Sequence, residues 1–263
     1  MGDPKTQRTD NKIDLVADRS SAKKRRVMKT SELIAREIIL DIARRGLTEG
    51  DPLPAEAKML SYYRVGRASL REALRLLEVQ QLVRIRPGIN GGPIVGAATP
   101  AGLGQMMTLF LGLDGATYRD LTDVMLMLHP LVASAAASRK LTKLDRKALL
   151  DWASHSEPDT EWDSIRTESL GDFHKFVTKL ARNRVWSLVI GAIDSIFSDH
   201  VIATTDSSGF HRKALHDHRA IAQAILDGDA TRAAVEMRAH TERTIKFYRG
   251  LNAGIFSRLI EWK

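Results

Sequence analysis

Between residues 30 and 95 the spacing of apolar positions changes from helical to strand-like, which divides this stretch into helices and a hairpin. Apolar residues three and four positions apart predict three helices, at 30–45, 54–63 and 66–79. Two short apolar runs, 82–86 and 94–95, flank the sequence PGINGG at 87–92. Because an Asn-Gly pair tolerates the positive φ of a tight turn, these runs are predicted to form a β-hairpin.

The third predicted helix carries arginines along one side. Arg67, Arg71 and Arg75 recur every four residues and form one basic stripe. The neighbouring stripe is apolar and consists of Leu70, Leu74 and Leu77. A helix that is packed along one side and cationic along the next fits the DNA major groove. Together with the hairpin, this pattern predicts a winged helix-turn-helix.

The rest of the chain is predicted to be helical. Six helices are expected, near 118–140, 142–154, 161–182, 184–204, 210–227 and 230–250. Helices of this length suit an antiparallel bundle with a cavity in its core. The fold class is therefore mostly α, with an N-terminal winged helix-turn-helix and its small β wing, and a C-terminal antiparallel all-α bundle of about six helices.

Composition sets the predicted domain boundaries. Residues 1–27 are polar, lack helical periodicity and end in KKRR, which predicts a disordered basic tail that is free to add phosphate contacts. Pro100 and several glycines indicate a linker. The remaining segments are a DNA-binding domain at 28–96, the linker at 97–117, a helical domain at 118–250 and a C-terminal tail at 251–263.

The net charge of +8 is concentrated in the first part of the chain. Residues 1–98 hold 19 Lys and Arg against 12 Asp and Glu, whereas the remainder carries a net charge of only +1. Clustered positive charge favours a polyanion such as double-stranded DNA. The absence of cysteine excludes disulfides and thiolate metal sites. No apolar run approaches roughly 18 residues and no secretory signal is visible, so we expect a cytoplasmic protein without a membrane contact.

The stretch from Leu53 to Gly92 resembles the GntR family of bacterial transcription regulators. The matching pieces are Leu53-Pro54-Ala55-Glu56, Val65-Gly66-Arg67, Ser69, Leu70-Arg71-Glu72-Ala73-Leu74 and Gly88. The resemblance covers 28–95 and implies sequence-specific DNA binding. Arg67 and Arg71 match arginines that reach phosphates and guanine edges, and Ser69 matches a hydroxyl position at the start of the recognition helix.

The wing is the second DNA contact that the resemblance implies. Gly88 matches the wing-tip position that approaches the minor groove, whereas Arg84 and Arg86 are candidates on their charge alone. Three positions depart from the family pattern, namely Ala57, Arg64 and Gly66. We therefore expect an altered operator preference. The alternative for the arginines is a solvated helix face, which we favour only for Arg75, beside Glu72 and Glu78.

The second half resembles the FCD ligand-binding domain, which defines the FadR subfamily. The matching pieces are Asp120-Leu121-Thr122-Asp123-Val124, Asp172-Phe173-His174, Asp217-His218-Arg219-Ala220-Ile221, Gly228-Asp229 and Met237-Arg238-Ala239-His240. In that subfamily three histidines and an aspartate ligate a divalent metal, and His174, His218 and His240 occupy the histidine positions. The aspartate position is Leu170 here, and Asp172 lies toward the opposite side of its helix.

Three interpretations of these histidines stay open. They hold Zn²⁺ with water completing the shell, they bind an anionic effector directly, or they are packed remnants. Four other histidines have no supporting pattern and are expected at the surface, namely His155, His200, His211 and His216. The resemblance also implies a polar pocket at two positions that here are Met125 and His129. This pocket is therefore expected to be more apolar and to favour a lipid-like effector such as an acyl chain.

The sequence thus predicts a homodimeric repressor whose affinity for a roughly palindromic operator depends on a small-molecule effector. One alternative is a metal-dependent hydrolase or lyase that uses the three-histidine site. It lacks a convincing carboxylate partner in the pattern. The other is a nonspecific architectural DNA-binding protein, which would leave the large helical domain without a role.

Overall fold

A computed structural model describes residues 29–88, 91–154, 169–204 and 210–262, without the side chains of 154, 169–172 and 211–213. Within these ranges the chain forms ten α-helices and a single two-stranded sheet. The sheet follows the third helix, and the helices after it build a separate bundle. The predicted fold class is confirmed.

The N-terminal domain, called the head below, is a winged helix-turn-helix. Its elements are α1 (Thr30–Arg45), α2 (Glu56–Tyr63), α3 (Arg67–Val79), β1 (Val83–Arg86) and β2 (Gly92–Val95). The strands are antiparallel, with Val83 opposite Val95. One apolar core joins the three helices to the sheet through Ile38, Met59, Leu70, Leu74 and Val83. Ile89 and Asn90, on which the predicted turn depends, lie outside the described residues.

The turn between α2 and α3 has an unusual residue at its corner. Arg64 adopts φ 53° and ψ 49°, and its N–H bonds to the carbonyl of Leu60. This is the position at which the sequence departs from the family glycine. An L-residue with a side chain pays about 1–2 kcal/mol for left-handed backbone, because its Cβ approaches the following carbonyl oxygen. The turn therefore forms with local strain.

Replacing Arg64 with glycine is expected to raise the free energy of unfolding by about 0.5–1 kcal/mol, since relief of strain exceeds the added entropy of the unfolded chain. Calorimetric or urea unfolding of the whole protein measures this change. The matched control is Arg75→Gly inside α3, which should lower stability by about 1 kcal/mol. A lower stability for Arg64→Gly would contradict the strain.

The bundle contains six helices within the described residues after α4. They are α5 (Tyr118–Ala137), α6 (Lys143–Ser154), α7 (Ser169–Leu180), α8 (Arg184–Phe197), α9 (His211–Leu226) and α10 (Ala230–Leu251). A π-helical turn, Ser198–Ile202, continues α8. Thr117 and Asp120 cap α5 by reciprocal side-chain and backbone bonds. Helix α5 is the centre of the bundle and packs against α8 and α10.

The segment expected to be a linker contains a long helix, α4 (Pro100–Asp114), which packs along α8. Its glycines permit a close approach to α8. A Cβ added at Gly104 would lie 2.5 Å from Ser195 Oγ and 2.9 Å from the carbonyl oxygen of Ala192. Pro100 starts the helix, and Thr99 caps it. The residues that indicated a break in the sequence therefore serve helix packing.

The C-terminal residues also differ from the expected tail. After α10, a 3₁₀ turn at Ala253–Ser257 brings Phe256 and Ile260 into the core beside the start of α5. The N–H of Ile260 donates to the carbonyl of Ala116 at 2.9 Å. Short apolar segments of this kind have no helical period, so only their burial in the folded chain reveals that they are ordered.

One helical run, Arg184–Ile202, is long and apolar enough to cross a membrane by length and composition alone, with a mean hydropathy of 1.4. The prediction that no apolar run approaches the length of a membrane-spanning helix is therefore wrong. The run packs against α4 and α5, and core helices pass the same test. This finding is weak support for a membrane segment.

Candidate functional site

Helix α3 separates its apolar and basic residues as the sequence predicted. Leu70, Ala73, Leu74 and Leu77 are buried against the head, whereas Arg67 and Arg71 are exposed and Ser69 is half-buried. Arg71 Nε lies 3.4 Å from Glu56 Oε2, with both side chains well exposed. An exposed pair of this length contributes little free energy, so Arg71 can exchange it for a phosphate or base contact.

The wing also presents basic residues to the solvent. Arg86 ends β1 and is exposed, and Gly88 follows with a φ of 107°, a conformation that favours glycine. Arg84 Nη2 lies 3.5 Å from Glu49 Oε1. The geometry thus gives the head an exposed basic helix and an exposed basic strand end.

In the bundle, three helices bring three histidines together. His174 on α7, His218 on α9 and His240 on α10 each direct a ring nitrogen to one point, and these nitrogens all lie within 4.8 Å of one another. The Nε2 atom of His240 is 3.1 Å from that of His174 and 3.3 Å from that of His218. The rings of Phe173 and Trp152 pack against His218. We call these three residues the histidine cluster.

A buried carboxylate orients the cluster. Asp217 Oδ2 lies 3.2 Å from His240 Nδ1, and Arg243 binds both carboxylate oxygens at 2.9 and 2.8 Å. Burial raises the pKa of Asp217, but the bonds from His240 and Arg243 outweigh it, so that this pKa lies below its ordinary value. The carboxylate therefore stays ionised and accepts the Nδ1–H of His240, which leaves only a lone pair on His240 Nε2.

This arrangement leaves lone pairs without hydrogen-bond partners. The single lone pair of His240 Nε2 faces two nitrogens and can accept a hydrogen from only one of them. His218 Nδ1 is buried without a hydrogen-bond partner among the described residues. If the proton of His218 is on Nε2, His218 can donate to His240, but the lone pair on its buried Nδ1 then has no hydrogen to accept. If the proton is on Nδ1 instead, the Nε2 lone pairs of His218 and His240 face each other without a hydrogen between them.

A divalent metal suits this donor set. Burial, followed by the charge of neighbouring histidines, holds the pKa of His174 and of His218 well below the usual value, so both are neutral ligands. Nitrogens about 2.0–2.1 Å from one tetrahedral zinc ion would be about 3.4 Å apart, close to the two short separations here. The link from Asp217 to His240 is the outer bond that ligating histidines usually make. The three residues therefore fit the metal.

In the FadR subfamily an aspartate is the fourth metal ligand, and its position here is Leu170. Leu170 lies on α7, four residues before His174, but its side chain and that of Asp172 lie outside the described residues. The prediction that neither supplies a ligand remains a prediction.

Sequence reasoning missed a second polar group beside the cluster. The His129 ring lies 5.2 Å from the ring of His174, and its Nε2 is 2.9 Å from Asp194 Oδ1 on α8. Its Nδ1 is 3.3 Å from Thr241 Oγ1. Asp194 falls within an apolar stretch and has no local signal; only the packing of α8 on α5 reveals the pair. This wall of the site is more polar than the sequence indicated. Met125, the other position expected to make the pocket apolar, is buried in the cluster of apolar residues around Tyr118 and Phe197.

The histidines outside the cluster differ in their exposure to solvent. His200 was expected at the surface, which is wrong: it is buried, and its Nδ1 lies 2.7 Å from the hydroxyl of Tyr118. The π-helical turn after α8 rotates it inward. His216 is exposed. His155 and the side chain of His211 lie outside the described residues.

Comparison with protein families gives two matches. The model of bacterial regulatory proteins of the gntR family matches residues 30–90, and the model of the FCD domain matches residues 120–243. The first match covers the head as far as the wing, and the second covers the histidine cluster. The two family models therefore correspond to the two parts of the fold that hold the candidate sites.

Individual relatives extend across both parts. Mce2R of Mycobacterium tuberculosis, an HTH-type transcriptional regulator, is 30% identical over 207 residues, which span 77% of this chain and 84% of the relative. The HTH-type transcriptional repressor NanR of Escherichia coli is 26% identical over 220 residues, 81% of each chain. A solved Streptococcus agalactiae GntR structure has a TM-score of 0.60 and 22% identity, and it covers 82% of this chain and 99% of its own. That last similarity concerns the fold alone.

Proposed function

Because the chain belongs to the GntR family of bacterial regulatory proteins, within the FadR subfamily that carries an FCD domain, we propose that it is a repressor that leaves its operator when a metabolite binds. It is a DNA-binding transcription regulator; the direction of regulation and the effector are the proposal. The relative NanR is named a repressor, which supports that direction. The observation that carries the proposal is that α8 contacts both the surroundings of the histidine cluster and the helix leading to the head.

The reading of DNA is assigned to α3 and the wing. Arg67 and Arg71 would enter the major groove, where a guanidinium group can bond both O6 and N7 of guanine. Ser69 would bond a phosphate or a base. Arg86 and Gly88 would meet the adjacent groove. The separate apolar and basic stripes of α3 support this orientation. The leucines pack against the rest of the head, and this leaves the basic stripe exposed.

The histidine cluster is proposed to hold a divalent metal such as zinc. His174, His218 and His240 would be its ligands, and Asp217 with Arg243 would fix the ring of His240. When bound, the metal would supply a Lewis-acidic charge for an oxygen-bearing group of the effector. Phe173 and Trp152 give the neighbouring wall an apolar character.

We infer an amphiphilic effector from this combination of polar and apolar walls. Its oxygen-bearing group would lie at the cluster, and an acyl-like body would lie against the apolar side chains. Decanoate and acetate, added to zinc-loaded protein, distinguish a long from a short carboxylate. We expect decanoate to raise the melting temperature and weaken DNA binding, and acetate to do neither at equal concentration. The reverse order would contradict the apolar part of the proposal.

Adjacent residues of α8 connect the effector site to the head. Asp194 bonds His129 beside the cluster, and the next residue, Ser195, lies against Gly104 of α4. On α4, the neighbouring Gln105 accepts a bond of 2.7 Å from Gln81, which follows the recognition helix. A small rotation of α8 would therefore displace α4 and the head together. Half-site spacing would change with it.

Substituting Gly104 with alanine tests this route. The new Cβ would meet Ser195 Oγ and a backbone oxygen, so α4 must move away from α8, at a cost of about 1–3 kcal/mol. We expect a lower melting temperature and a loss of the decanoate effect on DNA binding. The control is Gly250→Ala, whose Cβ meets nothing within 4 Å. An unchanged effect of decanoate on DNA binding in Gly104→Ala would contradict the proposed connection through α8 and α4.

Selection of binding sites from random DNA tests the regulatory function itself. A homodimer in the cytoplasm is expected to select two inverted half-sites about 10 base pairs apart, or a multiple of that spacing. Salt-sensitive binding without any sequence preference would instead favour the architectural alternative. The hydrolase or lyase alternative is not favoured, because the carboxylates that the described side chains place near the cluster, Asp194 and Asp217, are held by other side chains.

A further inference from the structure

A cleft of about 370 Å³ lies between the head and the bundle. Gln81 borders it from the head, and α4 with the π-helical turn after α8 borders it from the bundle. Among the described residues that line this cleft, none belongs to the histidine cluster, so the two sites are separate. Ligand sites occur preferentially where two domains meet, and this volume lies within their usual range.

Two irregular stretches of backbone shape this cleft. Gln81 has a φ of 60°, a left-handed conformation that a residue with a side chain rarely adopts. The π-helical turn Ser198–Ile202 places Asp199 and His200 in the lining. A bond of 2.7 Å between His200 Nδ1 and the hydroxyl of Tyr118 holds the His200 ring in place. Strained residues and π-helical turns both concentrate at functional sites, so the backbone itself indicates a binding role for this cleft.

The two hydroxyl groups in the lining are left as hydrogen-bond acceptors. Thr108 donates its single hydroxyl hydrogen to the carbonyl of Gln105 at 2.7 Å, and Ser195 donates its own to the carbonyl of Ala192 at 2.9 Å. Each hydroxyl oxygen keeps lone pairs but has no hydrogen left to donate. Thr108 is only 2% exposed, so little bulk water reaches its oxygen. These oxygens are therefore suited to a ligand that donates hydrogen bonds.

Asp199 gives the cleft a negative charge. It is exposed and is the one carboxylate among the described lining residues, which include no lysine or arginine. Gln81 donates through Nε2 to Oε1 of Gln105 at 2.7 Å, so its own Oε1 adds a further acceptor. A carboxylate and several acceptor oxygens in one cleft favour a ligand that is positively charged and carries N–H groups, and they disfavour an anion.

We propose that this cleft binds a small organic cation with primary ammonium groups, such as an alkyl diamine. One ammonium group pairs with Asp199, and further N–H groups donate to the oxygens of Thr108, Ser195 and Gln81. Gly102 has no side chain, so the ligand can approach the backbone of α4. Because Gln81 belongs to the head and the other ligand-binding residues belong to the bundle, the bound cation favours the head orientation in which all of them are within reach. This site is independent of the metal and the effector proposed above.

Isothermal titration calorimetry of the whole protein with 1,4-diaminobutane tests the charge of the ligand. We expect about one molecule bound per chain, with a dissociation constant of about 1 mM or lower. The neutral 1,4-butanediol and the anion succinate have the same number of carbon atoms and should not bind at equal concentration. DNA is left out, because diamines bind the duplex directly. Absent binding of the diamine, or equal binding of the diol or of succinate, would overturn the proposal.

Added zinc separates this cleft from the histidine cluster. The affinity for 1,4-diaminobutane should be the same with and without zinc, because no described residue of the cluster lines the cleft. Binding that requires zinc would place the diamine at the cluster and contradict the proposal. A failure to find a specific operator or a bound metal would leave these measurements unchanged, so the two sets of proposals fail independently.

Substitutions in the lining locate the bound diamine. Asp199→Asn keeps the shape of the side chain but removes its charge, and should weaken binding by about tenfold or more. Thr108→Val removes the hydroxyl oxygen and should weaken binding by about fivefold, whereas Thr108→Ser keeps that oxygen and should bind like the wild type. The matched control is Asp123→Asn, which removes an exposed carboxylate of α5 outside the cleft and should leave the affinity unchanged.

Thermal melting checks that each variant folds, and the Asp199→Asn change lies at an exposed position where folding should be unaffected. Wild-type affinity in Asp199→Asn would overturn the proposal, as would an equal loss in Asp123→Asn. Equal losses in Thr108→Val and Thr108→Ser would contradict the role of the hydroxyl oxygen as an acceptor for the ligand.

Discussion

Replacing both Arg67 and Arg71 with alanine is expected to reduce operator affinity by at least about 100-fold, to the level of nonspecific DNA. Each arginine that bonds a guanine edge contributes about 1–3 kcal/mol of discrimination, and the loss of positive charge adds a salt-dependent loss. Both side chains are exposed on the stripe of α3 that neighbours its buried leucines, and neither packs in the core, so folding should be unaffected. Fluorescence anisotropy with the selected operator and a scrambled duplex, at two salt concentrations, measures specific and nonspecific affinity separately.

Arg75→Ala is the matched control for this prediction. It removes the same charge from the same helix, one turn further from the start of α3, where we expect a solvated side chain. Its operator affinity should fall by less than about tenfold. Equal losses for Arg75 and Arg71 would mean that the helix contributes only its overall charge. Wild-type affinity in the double variant would refute the assignment of the recognition helix.

Removing a ligand from the histidine cluster is expected to abolish stoichiometric metal binding. His240 is the most sensitive position, because its Nε2 contacts both other nitrogens. We expect about one zinc ion per wild-type chain and none after chelator treatment of His240→Asn. At a free zinc concentration of 100 times the dissociation constant, the wild type should gain about 2.7 kcal/mol. Elemental analysis and calorimetric melting with and without chelator measure both effects.

Two further variants separate ligation from structural damage. Asp217→Asn keeps the shape of the side chain but loses its charge, so zinc affinity should fall by about 10–100-fold without disappearing. His216→Ala removes an exposed histidine from the same helix as His218 and should bind zinc like the wild type. If wild-type protein freed of contaminating metal does not bind added zinc, the metal proposal fails, and direct binding of an anionic effector and packed remnants are the two interpretations left.

The contrast between Arg71 and Asp194 shows what the sequence could reveal. The helix-turn-helix was predictable because its chemistry lies at fixed local spacings, and the structure confirms the helix boundaries within a few residues. The three histidines were found through family motifs, but the distances between their ring nitrogens could be read only from the folded chain. Asp194 reaches His129 only because α8 packs on α5. The glycines of α4 led to the wrong prediction of a linker, because glycine weakens an isolated helix but permits close packing between two helices of a bundle.

The bond from Gln81 to Gln105 has a consequence for how the free protein searches DNA. It is exposed, and beside it lies a cleft of about 370 Å³ bounded by Gln81, Gln105, Asp199 and His200. Such a bond contributes only about 1 kcal/mol. Head orientations separated by that energy would all be populated at ambient temperature. Before it meets an operator, the dimer would therefore sample several distances between its two heads, and the correct half-site spacing would select among orientations already present.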